Sequence, residues 1–218
     1  NKNFEIKKFF SVATVNENFY DKKLEEKIIK YLKNECKKYD LILVLDFGHD
    51  FITKDIIKTI INNSKTVCVN CQSNSLNYGF NIISNKFKNI HSFSLDNNEF
   101  ALATKKKNIQ NFLLELTKLK KQMKSNFAWL TIGSKFTIGL DMKNKHSIIK
   151  SLNEKPIDAV GAGDAFFAIS SLLSILKLDI KTSTFLSQVC GALHANEISN
   201  KYFLSRKKVV NFIKSKMI

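Results

Sequence analysis

The chain has 218 residues, 44% of them hydrophobic and only one a proline, enough for one full-sized domain with a substantial core and too little for two large ones. No apolar run approaches membrane-spanning length, and the opening Asn1-Lys-Asn-Phe-Glu-Ile-Lys-Lys lacks the apolar stretch of a signal peptide; a soluble cytoplasmic protein is the expectation. The formal charge of +16 raises nucleic-acid binding, but the lysines are scattered over helical faces and Arg206 is the only arginine, so base reading through Arg is disfavoured while anionic substrates stay compatible.

Along the chain, Phe9–Val15 reads as a short strand, and Leu24, Ile28, Tyr31 and Leu32 fall at helical spacing in a helix from about Asp21 to Tyr39. Leu41–Phe47 is a continuous apolar run closed by Gly48, as suits a strand covered on both faces of a parallel sheet. The alternation repeats: a helix at Lys54–Asn62, a strand at Thr66–Gln72, a polar loop from Ser73 to Gly79 and a short helix after it. A strand at Ile90–Leu95 precedes helices at Glu99–Lys106 and Ile109–Lys124. Phe127–Gly133 is the next buried strand, with shorter ones at Phe136–Leu140 and Ser147–Leu152 around a turn at Lys143-Asn144-Lys145. The last third reads as helices at Gly161–Leu178, Lys181–Ile198 and Ser205–Lys216.

Strands alternating with helices predict an α/β fold with a largely parallel sheet, in which ligands sit beyond the carboxyl ends of the strands. That rule points to Asp46–Gly48, Asn70–Asn77, Asp96–Glu99 and Thr131–Gly133. Cys68-x-x-Cys71 has the spacing of a metal or redox pair, yet residues three apart on a strand face opposite ways. No second pair or ligand-spaced His cluster completes a site, so buried free thiols are expected. His49, His91, His146 and His194 form no ligand pattern either.

The chemistry concentrates in Asp158-Ala-Val-Gly-Ala-Gly-Asp164, which holds two of the chain's seven glycines. A Gly-rich turn opening the apolar helix that follows offers free N–H groups and the positive end of the helix dipole to phosphate. An anion site has no use for a carboxylate as ligand. Asp164, held ionised by the helix terminus, suits a general base taking the proton of an attacking hydroxyl; local physics also allows a helix-capping Asp. The segment matches neither a Walker A loop nor a dinucleotide fingerprint.

With the following Ala165-Phe166, this segment is very similar to the carboxyl-terminal signature of the ribokinase (pfkB) carbohydrate kinases, in which Thr often replaces Ala159. The resemblance implies a ribokinase-like three-layer αβα fold and an ATP- and Mg²⁺-dependent sugar kinase, with a monovalent cation as a further candidate cofactor. It implies Asp164 as base, the amides of Gly161, Ala162, Gly163 and Asp164 as anion hole, and Asp158 near a cation or the nucleotide. Leu130-Thr-Ile-Gly-Ser-Lys135 resembles the family's phosphate-contacting turn through Thr131 and Gly133, although Phe136 replaces a second glycine. Lys135 beside it reads equally as a phosphate ligand and as a solvated lysine. Asp96-x-x-Glu99 resembles the family's Mg²⁺-organising motif, with Asp in place of Asn. Gly191 to Asn196 falls on the helix that lines the adenine pocket in relatives.

Val44–His49 and Val69–Asn81 look like the branch related to bacterial heptose-phosphate kinases of surface-polysaccharide (lipopolysaccharide) synthesis, whose members often carry or work beside a nucleotidyltransferase. Asp50 stands where that branch has Gly. Asp46, Asn70, Gln72, Asn74 and Asn77 are the candidate sugar ligands, against the plainer reading of a polar loop in an Asn-rich protein. The resemblance covers about residues 40–218, the nucleotide-binding and catalytic part, with residues 1–40 an extension or a remnant of the missing half. The sugar side and lid have no room here, and the chain does not begin with Met. A fragment, a split enzyme completed by a partner chain, or a non-catalytic remnant is expected.

Overall fold

The computed structural model describes residues 21–49, 51–73, 79–152, 156–197 and 203–216; the strand expected at Phe9–Val15, and Asp50, Asn74 and Asn77, lie outside them. One sheet carries the strands β1 (Ile42–Asp46), β2 (Val67–Cys71), β3 (Ser92–Asp96), β4 (Phe127–Ile132), β5 (Phe136–Leu140) and β6 (His146–Lys150) in that spatial order. The pairs β1–β2, β2–β3 and β3–β4 are parallel, and β4–β5 and β5–β6 are antiparallel. The expected α/β class with a mostly parallel sheet is what the chain adopts.

The strand order has a geometric consequence. When parallel strands add always on the same side, right-handed crossovers place all their helices on one face. Accordingly α2 (Lys54–Asn63), α3 (Ile83–Lys86), α4 (Asn97–Thr104) and α5 (Phe112–Met123) send Ile56, Ile60, Ile83, Phe100, Leu116 and Met123 into one core. Helix α1 (Lys22–Glu35) joins the same core through Ile28, Ile29 and Leu32, so it packs as part of this domain although it precedes residue 40. From the sheet come Val44, Val69, Phe93 and Leu130.

The opposite face is covered by α6 (Ala162–Ile175) and α7 (Ile180–Ala195), which enter only after the sheet is complete; α8 (Arg206–Lys216) packs on α7. Here Phe127 and Trp129, stacked at 5.8 Å between ring centroids, pack against Phe166 and Ile180. Gly139 permits this seam: a Cβ there would lie 2.1 Å from Thr184 Oγ1, the acceptor of the buried Trp129 Nε1 donor at 3.2 Å. The result is three layers, helices–sheet–helices.

Element ends differ from expectation for local reasons. Helix α6 ends at Ile175 rather than Leu178, with Lys177 in the left-handed region at φ +57°. Helix α5 starts at Phe112 because the Asn111 side chain accepts from Leu114 N, the capping that Asn favours. Alternation along β2 sends Cys68 toward Ser171 and Ser174 of α6 and Cys71 toward Asp46 and Asn81 on the other face. All four cysteines are free and buried, and burial pushes the Cys68 and Cys71 thiols up, making them poor nucleophiles.

Candidate functional site

The carboxyl ends of β2 and β3 lie beside the amino terminus of α6. Gly161 is the residue before the helix, at φ +78°, and no side chain caps this end. A non-glycine residue is strained in that left-handed conformation. Ala162, Gly163 and Asp164 are the first three helical residues, whose N–H groups have no partner within the helix ladder; Ala162 N reaches back to Ala159 O at 3.2 Å. Gly163 is exposed, and a Cβ there would meet nothing within 4 Å. Packing within the chain therefore does not require glycine at 163, whereas close approach of a ligand would.

Asp164 is fixed to the sheet rather than to its own helix. Gln72 Nε2, just past β2, donates to Asp164 Oδ1 at 2.5 Å. Burial lifts the Asp164 pKa above the ordinary carboxylate value, while the Gln72 hydrogen bond and the nearby His194 pull it down. The helix terminus was expected to hold the carboxylate ionised; burial works against it and makes the group a stronger proton acceptor, nearer the working range of a general base.

Asp96 and Glu99 lie beside this pair. Asp96 is the last residue of β3 and the cap of α4: its Oδ1 accepts from Glu99 N at 2.8 Å, and Glu99 Oε2 accepts from Asp96 N at 2.8 Å. This reciprocal capping box satisfies two amides at the helix start. Glu99 Oε1 also accepts from Ser73 N at 3.2 Å, so the carboxylate ties β3 to the loop after β2. Its pKa is pushed up to about 7 by burial first, then by the charges of Asp96 and Asp164. Among the described residues no group of three or more His, Cys, Asp or Glu side chains is arranged as a metal cage. Mg²⁺ needs less, commonly one or two carboxylates with substrate phosphates and water. A buried acid whose charge is suppressed by two neighbouring carboxylates is a donor set that a divalent cation would suit.

On the next strand, Thr131 is the register partner of Asp96, and its Oγ1 lies 3.4 Å from Leu95 O. By alternation it shares the α6–α7 face with Phe127 and Trp129. Gly133, at φ +47°, makes the β4–β5 turn, where Lys135 is exposed. Behind α6, Asp158 N and Ile157 N both donate to Ala195 O, at 3.1 and 2.9 Å, so Asp158 lies against the end of α7 next to its cap Asn196. Gly191 has a packing reason of its own: a Cβ would come within 3.3 Å of Ala162 O. The glycine lets α7 approach the first turn of α6.

The candidate sugar ligands divide. Gln72 belongs to the Asp164 cluster, and Asn70, on the same face of β2, donates from Nδ2 to Ser94 O at 3.0 Å while its buried Oδ1 has no protein partner. Asp46 is not brought to them. Alternation along β1 puts it on the other face with Val44, where it is 2% exposed and ion-paired with Lys86. Gly48 N and Cys71 Sγ also contact its carboxylate. Asp46 is thus a structural buried charge in this arrangement. Local sequence offers no partner for Asp164 and no role for His194; the pairing of Gln72 with Asp164 joins residues 92 positions apart, which no local pattern reveals.

No protein-family profile matches the chain, and no curated protein matches it in sequence. Solved structures do match in fold. A variant of phosphofructokinase-2 from Escherichia coli aligns at TM-score 0.68 and 11% identity, over 90% of this chain and 61% of that one. The ribokinase of Arabidopsis thaliana, complexed with ribose and ATP, aligns at TM-score 0.65 and 15% identity, over 87% and 59%. E. coli phosphofructokinase-2 in complex with potassium aligns at 0.67 and 10%, over 87% and 62%. The fold is ribokinase-like, that of sugar kinases, and the chain spans about three fifths of the length of these proteins.

Proposed function

We propose that this chain forms the nucleotide-binding and catalytic part of an ATP-dependent kinase that phosphorylates a hydroxyl of a sugar or sugar phosphate. The observation that carries this reading is the setting of Asp164. It sits in the first turn of an uncapped helix and is bonded to Gln72 from the sheet. Asp164 takes the proton of the attacking hydroxyl. The Gly161–Asp164 amides receive the charge that spreads over the transferred phosphoryl oxygens, the electrostatic term that dominates this chemistry. Gln72 keeps the carboxylate aimed; Asp96 and Glu99 would hold Mg²⁺, which neutralises phosphate charge when bound. Thr131, Gly133 and Lys135 serve the phosphates, Gly191 and Asn196 the base side, and Asp158 the nucleotide or a monovalent cation.

For the acceptor, the likeness of Val69–Asn81 to the heptose-phosphate kinase branch favours a phosphorylated heptose of surface-polysaccharide synthesis, made in the cytoplasm, with Asn70 and Gln72 as sugar ligands. The length match to three fifths of the solved kinases supports a second reading, a kinase-fold module that binds nucleotide or a partner chain without turnover. Calorimetry with ATP and Mg²⁺, followed by a turnover assay on hexose and heptose phosphates, separates the two. Asp164→Asn is expected to cut turnover by about 10²–10⁴-fold, the usual worth of a positioned base, with nucleotide affinity nearly unchanged. A folded chain that binds no ATP refutes the kinase reading and leaves of the second only a module that binds a partner chain.

A further inference from the structure

At the amino end of β4, remote from Asp164, the surface forms a half-open basic cavity of about 390 Å³ lined by Thr117, Lys120, Lys121, Lys124, Ser125 and Asn126, with Asn144 opposite. Its position follows from the fold: α5 ends at Met123, β4 begins at Phe127, and the β5–β6 turn bearing Asn144 returns to the same end, since Leu140 pairs with Ala128. Strands advance about 3.3 Å per residue, so β4 separates this cavity from Thr131 by more than a hydrogen-bonded ligand spans.

Two side chains here lack what burial normally demands. Lys120 is 5% exposed, and its ammonium donates to Asn144 Oδ1 at 2.8 Å; among the described residues no carboxylate lies within ion-pair distance of it. An ammonium has three donors, and a buried charge is costly without a counter-charge. Asp141 acts on Lys120 through its charge from beyond ion-pair distance, and its Oδ1 accepts from Lys143 N and Lys145 N of the turn, both at 2.8 Å. Ser125 is 8% exposed, and its hydroxyl has no protein partner. The last carbonyls of α5 would repel an anion, but Lys124 N and Ser125 N already bond those of Lys120 and Lys121.

We infer that this cavity is a second, non-catalytic site for a small phosphorylated ligand. Lys120, Lys121 and Lys124 hold its phosphate, and Asn126 and Asn144 contact the organic part. The volume falls within the range of small-molecule sites. A concave pocket mixing ammonium, hydroxyl and amide groups suits a compact phosphate ester. The inference does not depend on kinase activity.

The test is a titration of the ¹⁵N-labelled full chain with inorganic phosphate and with pyrophosphate, at constant 150 mM NaCl and without nucleotide. Shifts of the Ser125, Asn126 and Asn144 amides at millimolar ligand or below are expected, weakened at least tenfold in the double variant Lys121→Gln/Lys124→Gln. Both lysines are exposed, so that variant should fold; Lys120→Met removes the buried ammonium and is expected to abolish the shifts. If these amides stay still up to 10 mM ligand, or if the double variant binds as well as the parent, the inference is wrong. Shifts confined to Gly161–Asp164 also overturn it and leave the kinase reading standing.

Discussion

Replacing Gly139 by Ala tests the seam that seats the α6–α7 layer on the sheet. A Cβ at this position would lie 2.1 Å from Thr184 Oγ1, 2.9 Å from Trp129 Nε1 and 3.1 Å from Ile180 Cδ1. These atoms belong to a fully buried indole, its hydrogen-bond acceptor and a core isoleucine, so none can swing into solvent. Overpacking of this kind costs about 1–3 kcal/mol, and displacing Thr184 also breaks the Trp129–Thr184 hydrogen bond, worth about 1 kcal/mol. A loss of about 3 kcal/mol follows, which for a chain of this size lowers the melting temperature by about 6–12 °C. Urea denaturation followed by tryptophan fluorescence reads it directly, Trp129 being the chain's single tryptophan. Adding Thr184→Ala removes the shortest contact, so the double variant should be more stable than Gly139→Ala alone, a non-additivity expected of touching residues. A Gly139→Ala protein within 0.5 kcal/mol of the parent would refute this account of how the layer is held.

Three further outcomes follow from the site and its surroundings. Lys86→Met leaves Asp46 buried and unpaired and should cost about 3 kcal/mol in a urea melt, since breaking a buried pair from one side is severe; Asp46→Asn added to it should recover part of the loss, and a neutral single variant would contradict the pairing. The Glu99 carboxyl, raised from 4.5 to about 7, binds its proton more tightly in the folded chain than in the unfolded one. It therefore adds stability below about pH 4.5 that is lost as pH climbs through about 7, about 3 kcal/mol across that window. Glu99→Gln should flatten that slope in melts at several pH values, and an unchanged slope would rule the burial argument out. Gln72→Leu removes a donor that lowers the Asp164 pKa, so the Asp164 side-chain carbon should titrate at higher pH by NMR; no movement would mean that Gln72 does not orient it.

Much of this architecture is written locally. Phe127–Ile132 is apolar but for Thr131, and β4 is covered on both faces as such a run predicts; Leu41–Leu45 reads the same way, but β1 ends the strand order among the described residues and leaves Leu43 exposed, so it is not covered on both faces. The Asp158–Asp164 segment is legible because its glycines are conspicuous in a Gly-poor chain; Gly161 takes the positive φ, and Gly163 leaves open space over the helix end. What escaped depends on which layer covers which face. Asp46 and Gln72 both lie at strand ends, but alternation aims Asp46 at α3 and Gln72 at α6, and no residue of β1 says which helices will lie above it. The Asp96–Glu99 pair carried a second local message: Asp-x-x-Glu at a strand end is also the signature of a capping box, and the helix uses it so. The two roles are compatible on different lone pairs. An acid that caps a helix and braces the loop after β2 is held still by its amide partners, and on the proposed kinase reading a site meeting a metal-bound phosphate in one geometry would need its carboxylates fixed before the ligand arrives.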